Sequence, residues 1–138
     1  MARDNEVGTR QPPIVCIVED DTSLRHALVR LVRGHGFKVK GFAWPGQVLR
    51  RLQAGQLDCA VLVLDIHLGQ MSGLDLHDRL TRMGLSIPTI FMTGRDDARN
   101  RERVSRIGAT AYLVKPFDDA ALIGAIGVAP EGHQARPS

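Results

Sequence analysis

Five short apolar runs, each followed by a stretch of helical spacing, constrain this chain more than any other feature it carries. Ile14–Val18 is rich in β-branched side chains and lies between Pro13 and an acidic cluster, so it reads as a buried strand. Residues 37–42 form a second, less apolar run, suited to a sheet edge. Residues 60–65 give the strongest signal of a central strand, and residues 87–93 and 110–114 supply two more. Between the runs, Leu24, Ala27, Leu28, Leu31 and Val32 fall on one face at 3.6-residue spacing. Asp21, Thr22 or Ser23 stands ready to cap that helix, and Gly34 and Gly36 close it. Helical patterns also cover residues 47–52 and 74–83, then Ala98–Ile107, which is polar with few apolar anchors, and residues 118–126. Strands alternating with helices require a parallel sheet, because parallel connections need crossovers, and right-handed crossovers make the sheet doubly wound with helices on both faces.

Sheets of this kind present their chemistry at the carboxyl ends of the strands. The first strand ends in Glu19, Asp20 and Asp21, the third in Asp65, the fourth in Thr93, and the fifth, one residue on, in Lys115. Each has an ordinary explanation alone: an acidic first helical turn, a strand end, a Thr-Gly turn, a rigid Lys-Pro turn. Together they converge on one crevice. Clustered carboxylates call for a cation. Mg²⁺ suits one or two carboxylates plus a phosphate and water, while Lys115 and Thr93 would hold the remaining phosphoryl oxygens. An aspartate is a competent nucleophile toward an activated phosphorus, and phosphoryl transfer needs little beyond positioning and charge neutralisation.

Composition excludes several alternatives. The chain has 138 residues, 43% hydrophobic, enough for one domain without a disulfide or metal staple. Residues 60–64, the longest unbroken apolar run, fall far short of the ~20 that span a bilayer, and residues 1–13 lack the apolar stretch of a secretory signal. Cys16 and Cys59 lack metal-ligand spacing and read as reduced thiols of a cytoplasmic protein's core. Residues 1–13 and 129–138 read as flexible tails around a domain at 14–128. The net charge of +3 permits nucleic-acid contact without demanding it. Arg95, Arg99, Arg101, Arg103 and Arg106 alternate with Asp96, Asp97 and Glu102 and carry no aromatic neighbours, which describes a solvated helix face. His26, His35, His67, His77 and His133 share no ligand spacing; His67 and Arg95, two residues past Asp65 and Thr93, flank the crevice instead.

The segments IVCIVEDDTSLRHAL, VLVLDIHLGQMSGLDL, IPTIFMTGRDD and GATAYLVKPF resemble the response regulator receiver (CheY-like) domain of two-component signalling. The resemblance covers residues 13–128 and implies an α/β, flavodoxin-like three-layer sandwich: a doubly wound five-stranded parallel sheet in the order 2-1-3-4-5 with five helices. It further implies Asp65 as phosphoacceptor, Glu19 and Asp20 as the metal-binding acidic pair, and the main-chain carbonyl of His67 as a further Mg²⁺ ligand beside Asp65. Thr93 and Lys115 would contact the phosphoryl group, Tyr112 would be the aromatic switch residue, and the bond before Pro116 would be cis. The phosphodonor would be a sensor histidine kinase, with no catalysis beyond the domain's own phosphoryl transfer and dephosphorylation. Output would pass to a downstream protein, an effector domain or a second copy meeting the last two helices and last strand, without direct contact to nucleic acid or membrane. Only ten residues follow Val128, too few for a helix-turn-helix, so output would rest on protein contacts or on further chain.

Two departures from the family pattern stand out: Leu68-Gly69 replaces the usual Met-Pro, with Gln70 after it, and Glu19 replaces the more frequent Asp. Gly69 frees a turn that proline would stiffen. It keeps open a degenerate receiver that binds partners without phosphorylation. A phosphohydrolase of the haloacid-dehalogenase type is a third reading. Those enzymes place their acidic pair last along the chain and a second carboxylate where this chain has His67.

Overall fold

Apolar side chains on both faces of each central strand dictate a sheet covered on both sides. The computed structural model describes residues 14–69 and 71–132. In it the strands β1 (Ile14–Val18), β2 (Val39–Phe42), β3 (Cys59–Asp65), β4 (Thr89–Thr93) and β5 (Ala111–Val114) form one parallel sheet in the order β2-β1-β3-β4-β5. The helices are α1 (Thr22–Gly34), α2 (Pro45–Gln53), α3 (Gly73–Arg82), α4 (Ala98–Ile107) and α5 (Asp119–Gly132). Alternate strand residues divide the core in two. Cys16, Val18, Leu62, Leu64 and Phe91 meet α2, α3 and α4 on one face. Val15, Ile17, Val63, Ile90 and Met92 meet α1 and α5 on the other. The less apolar second run is indeed an edge strand.

Local chemistry sets the helix starts. Asp21 caps α1 by accepting the Leu24 N–H at 2.9 Å, Ser72 and Asp75 form a reciprocal box at the start of α3, and Asp97 caps α4 through the Asn100 N–H at 2.8 Å. Helix α4 buries only Val104, as its polar pattern implies.

Several limits differ from the sequence expectation. Three strands start later than their apolar runs, at Val39, Thr89 and Ala111; Phe37 and Ile87 still pack against the core from the loops before β2 and β4. Strand β3 starts earlier, at Cys59, where a register shift against β1 accommodates one extra residue. The last helix, expected to end near Ile126 with a tail from 129, continues to Gly132 despite Pro130, and Ala129 is sealed into the α1–α5 core at 1% exposure. Proline removes one amide donor, and this loss near a helix end is outweighed by burial of the apolar face. Expectations for residues 1–13, Gln70 and residues 133–138 lie outside the described residues. Among the described residues no helix is long and apolar enough to cross a membrane.

Candidate functional site

The carboxyl ends of β1 and β3, adjacent in the sheet, carry the acidic groups. Glu19 directly follows β1, and Asp65 is the last residue of β3; they are 1% and 4% exposed. Lys115, one residue past β5, reaches across and donates from Nζ to Glu19 Oε1 and Asp65 Oδ2, both at 2.8 Å. Carboxylate oxygens of Glu19, Asp20 and Asp65 lie within 4.8 Å of one another, with Asp20 exposed at the rim. The Lys115–Pro116 peptide bond is cis.

Main-chain bonds hold these groups in place. The Asp21 N–H donates to Glu19 Oε2 at 3.1 Å, and Arg25 Nη1 donates to the Glu19 carbonyl at 2.9 Å. The His67 N–H donates to Asp65 Oδ1 at 3.0 Å, while the His67 residue itself is exposed. Burial raises the Glu19 carboxyl above its usual range, although the Lys115 ammonium and the Asp21 amide pull against it. Burial also works against the Lys115 charge, but its bonds to Asp65 and Glu19 outweigh that and hold it above the usual lysine value. One ammonium facing three carboxylates leaves the site short of positive charge. An all-oxygen donor set open to solvent at Asp20 suits a small hard divalent cation that keeps several waters.

Thr93 is fully buried at the end of β4. Its hydroxyl is engaged by the following loop, donating to the Arg95 carbonyl at 2.8 Å and accepting the Arg95 N–H at 2.9 Å. Tyr112 packs its ring against the α2–α4 core and donates its hydroxyl to Asp96 Oδ1 at 3.0 Å.

Comparison with known proteins matches the response regulator receiver domain over residues 15–127. The chain belongs to the response regulator receiver family. It is 38% identical to the response regulator protein TmoT of Ectopseudomonas mendocina over 86% of this chain and 53% of that protein. It is also 38% identical to nodulation protein W of Bradyrhizobium diazoefficiens, over 89% of this chain and 53% of that one. The chain thus spans about half the length of the curated relatives it matches. Among solved structures, the response regulator receiver protein of Burkholderia phymatum is 33% identical with a TM-score of 0.75, covering 91% of this chain and all (100%) of that one. The structure of FixJ-N is 31% identical with a TM-score of 0.80 over 92% and 100% of the two chains.

The receiver fold therefore brings Glu19, Asp20, Asp65 and Lys115 together, and leaves the Thr93 hydroxyl bonded to its own loop. Two contributors escape a reading of the sequence. A Cβ on Gly73 would collide with the main-chain carbonyl of Asp65, so the start of α3 presses directly on the strand end that carries the carboxylate. The only hint is a glycine directly after the Ser72 cap. Asp96, exposed as expected of a solvated face, also joins Tyr112 to Arg101, and nothing in its local sequence marks that role. The positive φ of Gly69, +75°, shows that this loop conformation needs glycine rather than merely tolerating it.

Proposed function

We propose that this receiver accepts a phosphoryl group on Asp65 from a phosphohistidine of a sensor histidine kinase and thereby switches a protein-interaction surface. The supporting observation is the bridge from Lys115 to Glu19 and Asp65, with Asp20 beside it, at the mouth of the sheet. In the reaction the P–N bond of the donor imidazole breaks as an Asp65 oxygen–phosphorus bond forms. Attack by water later cleaves that bond and releases inorganic phosphate. Glu19, Asp20, Asp65 and the main-chain carbonyl of His67 would hold Mg²⁺, which would neutralise charge on the phosphoryl oxygens. Lys115 would move from its present bridge to a phosphoryl oxygen, and the Thr93 hydroxyl would leave Arg95 to donate to another. Such a domain promotes only its own phosphorylation and dephosphorylation. The partners implied are the kinase and a downstream protein, an effector domain, or a second copy meeting the α4–β5–α5 face.

Intact mass after incubation with acetyl phosphate and Mg²⁺ tests the proposal. The unaltered chain should gain one phosphoryl group and Asp65→Asn none; equal labelling overturns the assignment. Calorimetry provides a readout independent of turnover, since Asp20→Asn should weaken Mg²⁺ binding while the fold stays intact.

A further inference from the structure

At the end of the sheet opposite Asp65, the start of β2 opens into a cleft of about 1050 Å³ between the C-terminal turns of α1 and α2. Among the described residues, Arg33, Lys38, Lys40 and Arg51 line it against a single acid, Asp58. None of the four cations has an ion pair among the described residues. Arg51 lies instead over the Phe42 ring, 5.9 Å from its centroid. The local excess of positive charge is as large as the +3 of the whole chain. Arg33 and Arg51 complement the negative ends of their helices. Lys38, just before β2, and Lys40, within it, do not.

Among the described residues strand β2 pairs only with β1. The Lys38 and Phe42 carbonyls accept the Val15 and Glu19 N–H groups at 2.8 and 3.0 Å, so Lys38, Lys40 and Phe42 turn their main-chain groups toward β1. Alternation along a parallel strand then turns those of Val39 and Gly41 to the free edge. Lysines flanking such an edge repel a second copy of the same strand and attract an acidic one.

We propose that this edge and cleft dock an acidic, extended segment of a partner protein by strand addition. The segment's main chain bonds the free groups of Val39 and Gly41, and its carboxylates meet Lys38, Lys40, Arg33 and Arg51. A free main-chain edge beside the cations favours a peptide over a polyphosphate, which would engage the cations alone. The site lies away from the carboxylates at Asp65 and does not depend on phosphorylation.

The test uses the full chain and a fluorescent peptide of alternating glutamate and valine, followed by anisotropy and amide chemical shifts. Binding should perturb Lys38, Val39, Lys40 and Gly41. Lys38→Glu with Lys40→Glu, both on exposed side chains, should weaken it about tenfold at low salt, with an unchanged circular dichroism spectrum. Arg99→Glu with Arg103→Glu carries the same charge change on α4 and should leave affinity within about twofold. Methylating alternate peptide amides should abolish binding in one of the two registers. The proposal is overturned by equal loss in the α4 variant, by unaffected binding of both methylated peptides, by equal or tighter binding of an oligothymidylate of matched charge, or by no shift at the β2 edge.

Discussion

Tyr112 donates its hydroxyl to Asp96 Oδ1 at 3.0 Å, while Arg101 Nη2 holds both carboxylate oxygens of Asp96 at 2.6 Å. The last strand is thereby linked to the start of α4, a helix anchored by one buried residue. A bonded tyrosine at the base of a thinly anchored helix gives the proposed switch a specific contact to break or keep.

Because this chain has a single tyrosine, its phenolate absorbance reports Tyr112 alone. Burial and then the bond to Asp96 push that phenol above its ordinary 10.0. A raised value in the folded state means stability that is complete below pH 10.0 and lost as pH rises through the folded-state value. Arg101 and then Tyr112 hold Asp96 below 3.8, so its contribution is complete above 3.8 and lost as pH falls through its lowered value. In Asp96→Asn the spectrophotometric titration of Tyr112 should move down toward 10. An unchanged titration would show that burial alone sets it.

Lys115→Met leaves two buried carboxylates without their shared cation. We expect about 1–3 kcal/mol of destabilisation without Mg²⁺, discounted from a fully buried pair because Lys115 retains some contact with water. Mg²⁺ should restore part of this loss by binding the folded state. Urea unfolding with and without Mg²⁺ measures both, and a gap that Mg²⁺ fails to narrow would count against a cation site at these carboxylates.

Gly73→Ala should cost about 1–3 kcal/mol, since the added methyl meets the carbonyl of Asp65 and the core must shift to admit it. Gly124→Ala in α5 meets nothing within 4 Å and should stabilise by about 0.5–1 kcal/mol through helix propensity. Denaturant midpoints of the two variants should therefore move in opposite directions.

Thr93→Ala should still accept a phosphoryl group at Asp65 yet lose most of the response of α4. Hydrogen exchange across Ala98–Ile107, with and without beryllofluoride, reads this directly. A coupling of about 1–3 kcal/mol is typical of such links. Identical ligand-dependent changes in both proteins would mean that the route to α4 bypasses Thr93.

Much of this receiver is legible along the chain. The strand runs and the groups at their ends, Glu19, Asp20, Asp65 and Lys115, follow from apolar periodicity and from the rule that doubly wound sheets expose their carboxyl ends. The Asp21 cap, one of three candidates along the chain, is local as well, since it joins groups three residues apart.

What the tertiary structure alone decided depends on contacts between distant parts of the chain. Lys115 finds Glu19 across 96 positions, and Tyr112 finds Asp96 across 16. Gly73 is required only because the Asp65 carbonyl lies against it, and α5 runs past Ile126 only because Ala129 has a core to enter. Likewise, the Thr93 hydroxyl could serve the strand-end crevice or its own loop, and the packed loop selected Arg95. Periodicity and capping act within a few residues, so the sequence by itself determined the elements and the chemistry at their ends. Side-chain direction and close approach arise only when separate elements pack, and the folded sheet determined which of those groups touch.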